Sequence, residues 1–310
     1  MHTLATGILG LALGLLSPSL AGQSQTLFFE DFEDGITGWT ETAFGGLWHA
    51  ATDGECGAVS KMAACNLGPA ACDYDTAYPS SATLIRLDRP ITLLNEPATY
   101  VVDFDYRRGV DATGDLTTVW LGGDEDFWMW LAGYVSGDLA DTETLAHHTS
   151  AFTPGEFFWG GVTLELELQV DKVGNQGLGW MVDNLRISTN AFAKLHGAKG
   201  EPPPELEAIG ALRAGEGHNI LTLSNAEPAA QARLVVGFTE LSVPFKGGVL
   251  VPDPVAALPF TTDATGSLSV DFAVPAGIQP GLSVYFQVWI TDLDETFRLA
   301  ASNGVMGVTS

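Results

Sequence analysis

Apolar and polar residues alternate along most of the chain after residue 82, in short runs separated by Gly, Asp, Asn and Pro. Alternation with a period of two is typical of β-strands that bury one face. No convincing amphipathic helix accompanies the strands. In the first part of the chain they are predicted at Thr83–Leu87, Tyr100–Arg107, Thr117–Leu121, Asp126–Leu131, Phe157–Gln169 and Gly179–Ser188. Many short strands joined by turns predict an all-β sandwich or jelly roll.

A proline-containing segment separates these strands from a second set. Residues 189–206 include Gly200-Glu201-Pro202-Pro203-Pro204, and three successive prolines favour an extended spacer. We therefore predict a linker at 189–206, between a first domain at 22–188 and a second at 207–310. About seven strands in the second domain predict an immunoglobulin-like β-sandwich.

The first 21 residues have the features of a secretory signal peptide. The apolar run Leu4–Leu16 is short for a membrane span, and Ser19-Leu20-Ala21 has the small-x-small form of a cleavage site. Gln23 occupies the position at which a lipoprotein precursor would carry the cysteine that is lipidated, so we do not expect a lipid anchor. We therefore expect a secreted, extracellular protein without membrane insertion.

The charge balance narrows the classes of partner. Thirteen basic residues against 38 acidic ones give a net charge of −25. Nucleic acids and anionic membranes are bound by basic patches, so the balance argues against both partners. It suits Ca²⁺, which takes oxygen ligands, although solubility alone explains the total charge equally well.

Two stretches at opposite ends of the first domain contain acidic residues in unusual positions. Residues 30–34 hold four acids in five positions without a Lys or Arg. In the predicted strand at 179–187, alternation places Asp183 between Met181 and Leu185, on the same apolar side as Ile187. A carboxylate on an apolar face needs hydrogen-bond donors, a basic partner or a cation.

These two stretches also carry a resemblance. Asp31-Phe32-Glu33-Asp34-Gly35 followed by Gly38-Trp39, and Gly179-Trp180-Met181-Val182-Asp183-Asn184 about a domain's length later, are similar to the opening and closing strands of MAM-like, lectin-like jelly-roll modules. Such modules decorate secreted bacterial peptidases and adhesins. The resemblance covers about residues 26–190 and implies a concanavalin-like jelly-roll sandwich. It names no partner, because these modules serve many functions.

The C-terminal domain has a weaker resemblance of its own. Tyr285–Asp292 followed by Ala300-Ala301-Ser302-Asn303 resembles a β-module recurrent at the C-terminus of secreted bacterial proteins. That resemblance implies no function beyond the sandwich itself.

The acids predict a structural Ca²⁺ site that ties the first strand to the last. We expect Asp183 to bind the ion together with an acid of the first stretch. The resemblance favours Glu33, whereas alternation favours Glu30, which shares a face with Phe28 and Phe32. The alternative is that Asp183 accepts hydrogen bonds from backbone N–H groups and binds no ion.

Three cysteines lie close together in the first domain. Export makes a disulfide plausible, and the resemblance favours Cys56 and Cys72 as its partners, with Cys65 outside the bond. Three buried thiols are the alternative.

Tryptophans give the clearest candidate ligand site. Trp128 and Trp130 share one face of a predicted strand, and the apolar residues between and beside them share the other. One face must pack in the core, while the second can line a groove. Exposed indoles stack on sugar rings, so we predict a ligand platform of Trp120, Trp128, Trp130 and Trp159, with ordinary core packing as the equal alternative.

Catalytic signatures are not evident in the sequence. Metalloprotease, nucleophile-elbow, phosphate-loop and dinucleotide motifs are missing. Glu165-Leu166-Glu167-Leu168-Gln169 resembles the catalytic strand of jelly-roll retaining glycoside hydrolases, but glutamine stands where the general acid belongs. Alternation instead predicts leucines in the core and Glu165, Glu167 and Gln169 facing water. The pair His147-His148 is expected to be solvated in a polar loop, with its two side chains facing opposite ways.

The sequence thus predicts a secreted, non-catalytic protein of two β-sandwich domains that recognises a glycan or a cell-surface partner through the first domain. A secreted carbohydrate-active hydrolase with an unrecognised site is one alternative. A structural envelope component is the other.

Overall fold

The computed structural model confirms the all-β prediction. It describes residues 23–42, 48–52, 58, 60–65, 83–110, 116–123, 127–133, 139–170, 179–215 and 218–310. These residues form β-strands and two short 3₁₀ turns, and none of them lies in an α-helix that could cross a membrane. The chain divides into two compact units. One is 26–189, and the other contains residues 23–25 and the described residues of 190–310.

The first unit contains two antiparallel sheets. Its strands are β1 (Thr26–Glu30), β2 (Thr40–Thr42), β3 (Trp48–Ala51), β4 (Met62–Cys65), β5 (Thr83–Thr92), β6 (Tyr100–Gly109), β7 (Leu116–Gly122), β8 (Trp128–Ala132), β9 (Thr142–Phe152), β10 (Gly161–Val170) and β11 (Gly179–Thr189). The six-stranded sheet has the order β3-β4-β11-β6-β9, and β1 also pairs with β11. The five-stranded sheet has the order β2-β5-β10-β7-β8.

The two sheets share one apolar core. Leu164, Leu166 and Leu168 of β10 point into it, as the alternation predicted, and they meet Phe104 of β6 and Trp180 of β11. All five side chains are fully buried. Burying a side chain of this size contributes about 1.5–3 kcal/mol. The sandwich therefore fixes which residues of β10 face outward.

A bulge in β11 changes which face its side chains occupy. The register with β6 shifts just after Asp183, where Asn184 has a φ of +51°. Asparagine tolerates this left-handed conformation better than most residues do. Met181 packs in a small outer cluster, whereas Leu185 and Ile187 belong to the main core. The predicted common face of Met181, Asp183, Leu185 and Ile187 is therefore wrong, because the extra residue reverses the alternation.

The second unit is also a β-sandwich. Its strands are β12 (Phe192–Lys194), β13 (Glu205–Ile209), β14 (Asn219–Ser224), β15 (Gln231–Gly237), β16 (Glu240–Phe245), β17 (Gly248–Pro252), β18 (Ala256–Thr261), β19 (Leu268–Phe272), β20 (Ser283–Thr291), β21 (Leu299–Ala301) and β22 (Val305–Val308). One sheet has the order β12-β22-β20-β15-β18 with β21 also on β20, and a second has the order β13-β14-β19. Strands β16 and β17 form a separate pair. The first two sheets bury a common core that includes Leu221 and Phe286.

The predicted linker at 189–206 differs from the structure. Strand β12 pairs with β22, Lys199 bridges Ala301, and β13 already begins at Glu205. Residues 190–206 therefore belong to the second unit. The partners of β12 and Lys199 lie about a hundred positions later in the chain, so local composition gives no sign of them.

Candidate functional site

Polar and aromatic side chains cross the outer face of the five-stranded sheet in neighbouring rows. Cross-strand pairing aligns one row that contains Asp88, Glu165, Trp120 and Trp130. A second row contains Arg86, Glu167 and Thr118. Beside the first row, Trp128 pairs with Gly122. The name tryptophan face is used below for Arg86, Asp88, Trp120, Trp128, Trp130, Glu165 and Glu167.

Strand β8 presents two half-exposed indoles on this face. Trp128 and Trp130 are 45% and 49% exposed. Trp130 meets Trp120 edge to face, with ring centroids 5.9 Å apart. Trp128 lies across Gly122, where an added Cβ would come within 2.7 Å of the indole. Its ring centroid is 5.8 Å from Arg86 Cζ. Glycine at position 122 therefore gives Trp128 room to extend across the sheet.

Two glutamates lie beneath these groups. Glu165 and Glu167 point away from the core but are only 1% and 5% exposed, so the prediction that they face water is wrong. Arg86 Nε donates to Glu167 Oε2 at 2.9 Å and lies 3.2 Å from Glu165 Oε1. Trp120 Nε1 donates to Glu167 Oε1 at 3.3 Å. Large side chains from neighbouring strands cover the two carboxyl groups. Alternation within β10 assigns a side chain to a face but does not predict such covering.

The surroundings of Glu165 favour the protonated form of its carboxyl group. Burial raises the pKa of Glu165 to about 8, against the lowering effect of Arg86, and the charges of Asp88 and Glu167 and a hydrogen bond with Asp88 raise it further. Asp88 Oδ2 accepts from Thr42 Oγ1 at 2.8 Å. Its buried Oδ1 receives no hydrogen bond from a permanent donor in the part of the chain that is described. A protonated Glu165 would supply the donor that this carboxyl pair requires.

Trp159 does not join the other three predicted tryptophans. It follows the 3₁₀ turn Glu156–Phe158, and its ring is half-buried. Its Nε1 is buried with no hydrogen-bond partner among the described residues. In the same residues it makes no ring contact with Trp120, Trp128 or Trp130. The structure thus brings together three of the four side chains.

Arg86 and Asp88 are site residues that the sequence pattern missed. The predicted strand ends at Leu87, whereas β5 continues to Thr92. A signal was present, because Arg86 and Asp88 alternate with the apolar Ile85 and Leu87. Their opposite charges on one strand face suggest ionic partners on the neighbouring strand.

The predicted calcium ligands each have protein partners. Glu30 accepts from Trp39 Nε1 at 3.1 Å and from the Phe32 amide at 3.3 Å. Glu33 accepts from the Lys61 amide at 3.4 Å. Across the described residues, no group of three or more His, Cys, Asp or Glu side chains is arranged to hold a metal ion. Calcium binding therefore stays a prediction, without a complete set of side-chain ligands.

Asp183 is buried on the outer face of the six-stranded sheet. The Ser60 hydroxyl donates to Oδ2, and the Asn184 amide donates to Oδ1 at 2.8 Å. Burial raises the pKa of Asp183 to about 6, against the effect of these hydrogen bonds, and the charges of Asp105 and Glu33 raise it further. The amide contact matches the alternative role predicted for this carboxylate.

The histidine pair lies in β9 and not in a solvated loop. His147 Nδ1 is 2.8 Å from Asp105 Oδ1, and its Nε2 is 2.9 Å from Thr149 Oγ1. The His148 ring lies 5.1 Å from the ring of Phe104, on the core side. The two side chains do face opposite ways, but both are packed against partners.

Two further predictions fall on residues that the structure does not describe. Cys56 and Cys72 are among them, so the bond between these cysteines stays a prediction. Cys65 is buried in β4. The predicted signal peptide at 1–21 also lies outside the described residues and stays a prediction.

Comparison with known proteins gives no family. No family model and no curated protein matches the chain. Among solved structures, a tandem of carbohydrate-binding modules, the CBM22-1-CBM22-2 domain of Paenibacillus barcinonensis Xyn10C, is 14% identical over 94% of this chain and 100% of its own, with a TM-score of 0.31. The adhesin domain of Epf from Streptococcus pyogenes is 12% identical over 91% and 94%, with a TM-score of 0.31. A Bacteroides uniformis β-glucuronidase is 9% identical over 87% and 32%, with a TM-score of 0.24. Likeness at this level carries no argument, so function is argued from the tryptophan face.

Proposed function

We propose that this protein is a secreted, non-catalytic glycan-binding protein and that the tryptophan face holds the sugar. The observation that carries the proposal is the pair of half-exposed indoles, Trp128 and Trp130, above a fixed bed of buried polar groups. A sugar ring has an apolar C–H face that stacks on an indole and hydroxyls that need donors and acceptors. The tryptophan face offers both kinds of contact within two strand rows. The MAM-like, lectin-like resemblance of the first domain is in line with a binding module.

Stacking on Trp130 is large enough to dominate the affinity. About half of this side chain is uncovered, which leaves on the order of 100 Å² of indole for a ligand. Covering that area contributes about 2–3 kcal/mol at roughly 25 cal/mol per Å². A loss of this size weakens Kd by about 30- to 150-fold.

The acids of this face support binding better than hydrolysis. A general acid must come within hydrogen-bond distance of the substrate oxygen that it protonates. Glu165 and Glu167 are covered, and their oxygens are engaged by Arg86 and Trp120. Gln169, the outward residue that follows Glu167 on β10, has no titratable proton. The two glutamates instead hold the groups around them in position.

A secreted hydrolase is the second candidate because of one observation. The pKa of Glu165 is raised to about 8 beside a second carboxyl group, that of Asp88, and such pairs occur in acid catalysts. Release of reducing ends from a bound polysaccharide would reveal this activity. If the wild type releases reducing ends and Glu165→Gln does not, the function is hydrolysis and not binding alone.

Binding of the purified protein to soluble polysaccharides tests the proposal. We expect Trp130→Ala to weaken Kd by about 30-fold or more in titration calorimetry and affinity electrophoresis. Phe29→Ala is the matched control, because Phe29 is also an exposed aromatic residue but lies in the other sheet, and its affinity should equal that of the wild type. The proposal fails if no glycan on a broad array binds, or if Trp130→Ala binds as tightly as the wild type.

A further inference from the structure

We infer that Arg86 donates hydrogen bonds to the ligand and that the ligand is an uncharged saccharide. The inference rests on the proposed function and names its ligand class. It follows from how one guanidinium group is held and from the charges around it.

Arg86 is anchored on one side of its guanidinium. Nε lies 2.9 Å from Glu167 Oε2 and 3.2 Å from Glu165 Oε1. The two Nη groups donate no hydrogen bond to any residue that the structure describes, and 34% of the side chain is exposed. A guanidinium carries five N–H donors, four of them on the Nη atoms. The outward edge of Arg86 therefore has donors available beside the indole of Trp128.

The anchoring prepares these donors for a ligand. A surface arginine loses much rotamer freedom when it binds, and this loss weakens the affinity. Here Glu167 fixes Nε, and the Trp128 ring lies 5.8 Å from Cζ. The planar pair of Nη groups matches two neighbouring acceptor oxygens. Adjacent hydroxyls of a sugar ring that stacks on a nearby indole present such a pair.

The charges around Arg86 favour uncharged over negatively charged oxygen atoms on the ligand. Three carboxyl groups, those of Asp88, Glu165 and Glu167, surround this single cation of the tryptophan face. With Glu165 protonated, two carboxylates still outnumber the guanidinium. A uronate or sulfate on the ligand would meet their repulsion and that of a chain with a net charge of −25. Uncharged hydroxyls accept from Arg86 without this cost.

The first experiment compares polysaccharides of matched backbone on the full chain. Barley β-glucan, xyloglucan, arabinoxylan and galactomannan are each tested beside their carboxymethylated derivatives by affinity electrophoresis and titration calorimetry. We expect the neutral form that binds best to lose about tenfold or more in affinity on carboxymethylation. Binding of the neutral form should change little between low and physiological salt. Equal or tighter binding of the carboxymethylated form overturns the inference.

The second experiment removes the Nη groups. In Arg86→Gln the glutamine Nε2 takes the place of arginine Nε and can still donate to Glu167, while both Nη groups are lost. We expect about a tenfold weaker Kd for the neutral polysaccharide. The melting temperature should also fall, because the buried Glu167 carboxylate loses its cation, so affinity is measured well below the melting transition of the variant. Arg89→Gln is the control, because Arg89 lies on the same strand and donates to the Thr37 carbonyl, outside the tryptophan face. Arg86→Lys keeps the charge without the planar pair and covers the case in which Arg86→Gln does not fold.

The outcomes separate the two proposals. Wild-type affinity in Arg86→Gln or Arg86→Lys, together with lost affinity in Trp130→Ala, overturns the role of Arg86 and keeps glycan binding. No binding of any neutral or carboxymethylated polysaccharide overturns the proposed function itself.

Discussion

Replacing Glu165 by glutamine should remove a pH dependence from the free energy of unfolding. Glu165 is buried, and its pKa is raised from 4.5 to about 8. Glutamine has nearly the size of the protonated acid, and its amide N–H can donate to Asp88 as the acid O–H does. Glu165→Gln therefore keeps the packing and the hydrogen bond while it removes the titration.

The sign and size of the effect follow from proton linkage. The folded state binds the Glu165 proton more tightly than the unfolded state does. The stabilising contribution is therefore fully present below about pH 4.5 and is lost as the pH rises towards 8. One proton amounts to about 1.4 kcal/mol per pH unit, so the whole window is worth at most about 5 kcal/mol, and about 3 kcal/mol is lost by pH 7.

Urea unfolding at a series of pH values measures this difference. Seven of the eight tryptophans lie in the first unit, so indole fluorescence reports its unfolding. The free energy of the wild type minus that of Glu165→Gln should fall by about 1.4 kcal/mol per pH unit between about pH 5 and 8. Glu156→Gln, which replaces an exposed acid of the same unit, should leave the wild-type profile unchanged. A difference that stays constant across this range would refute the protonated state of Glu165.

Two further predictions concern the binding face and the metal. Gly122→Ala brings a Cβ within 2.7 Å of Trp128, so the indole must shift and glycan affinity in calorimetry should fall, whereas Gly155→Ala meets nothing within 4 Å and should bind normally. If Asp183 holds Ca²⁺ in the folded state alone, chelation should lower the melting temperature of the wild type and leave Asp183→Asn unaffected, because ligands stabilise by mass action. If chelator leaves the melting temperature of the wild type unchanged, the prediction of a stabilising Ca²⁺ site is wrong.

Alternation predicts the sandwich where a strand is regular and fails where it is not. The leucines of β10 point into the core as expected because every residue of that strand keeps the pleat. In β11, Asn184 adopts a positive φ, and Asp183 and Leu185 end on opposite faces. The bulge depends on pairing with β6, so the sequence of β11 alone does not predict it.

Burial of the candidate site could not be predicted from the sequence for a related reason. Alternation assigns Glu165 to the outward face correctly, but the side chains that cover it come from strands distant in the chain. The row that joins Asp88, Glu165 and Trp120 exists only once β5, β10 and β7 are in register. The indoles of Trp128 and Trp130 were predicted as a platform because they occupy one strand, where a period of two suffices.

The buried acids of the tryptophan face explain how its exposed aromatic groups are held in position. Replacing a buried ionic group by apolar residues often stabilises a protein, so a purely structural sheet face would favour apolar side chains at positions 165 and 167. Instead Glu167 accepts from Trp120 and Arg86, and Trp120 in turn meets Trp130 edge to face. Arg86, Trp120 and, through Trp120, the exposed Trp130 are thereby held by a buried carboxyl group, and groups that are already fixed lose less entropy when a ligand binds. Polar residues that cost stability at neutral pH are understandable at these positions if they hold a binding surface in place.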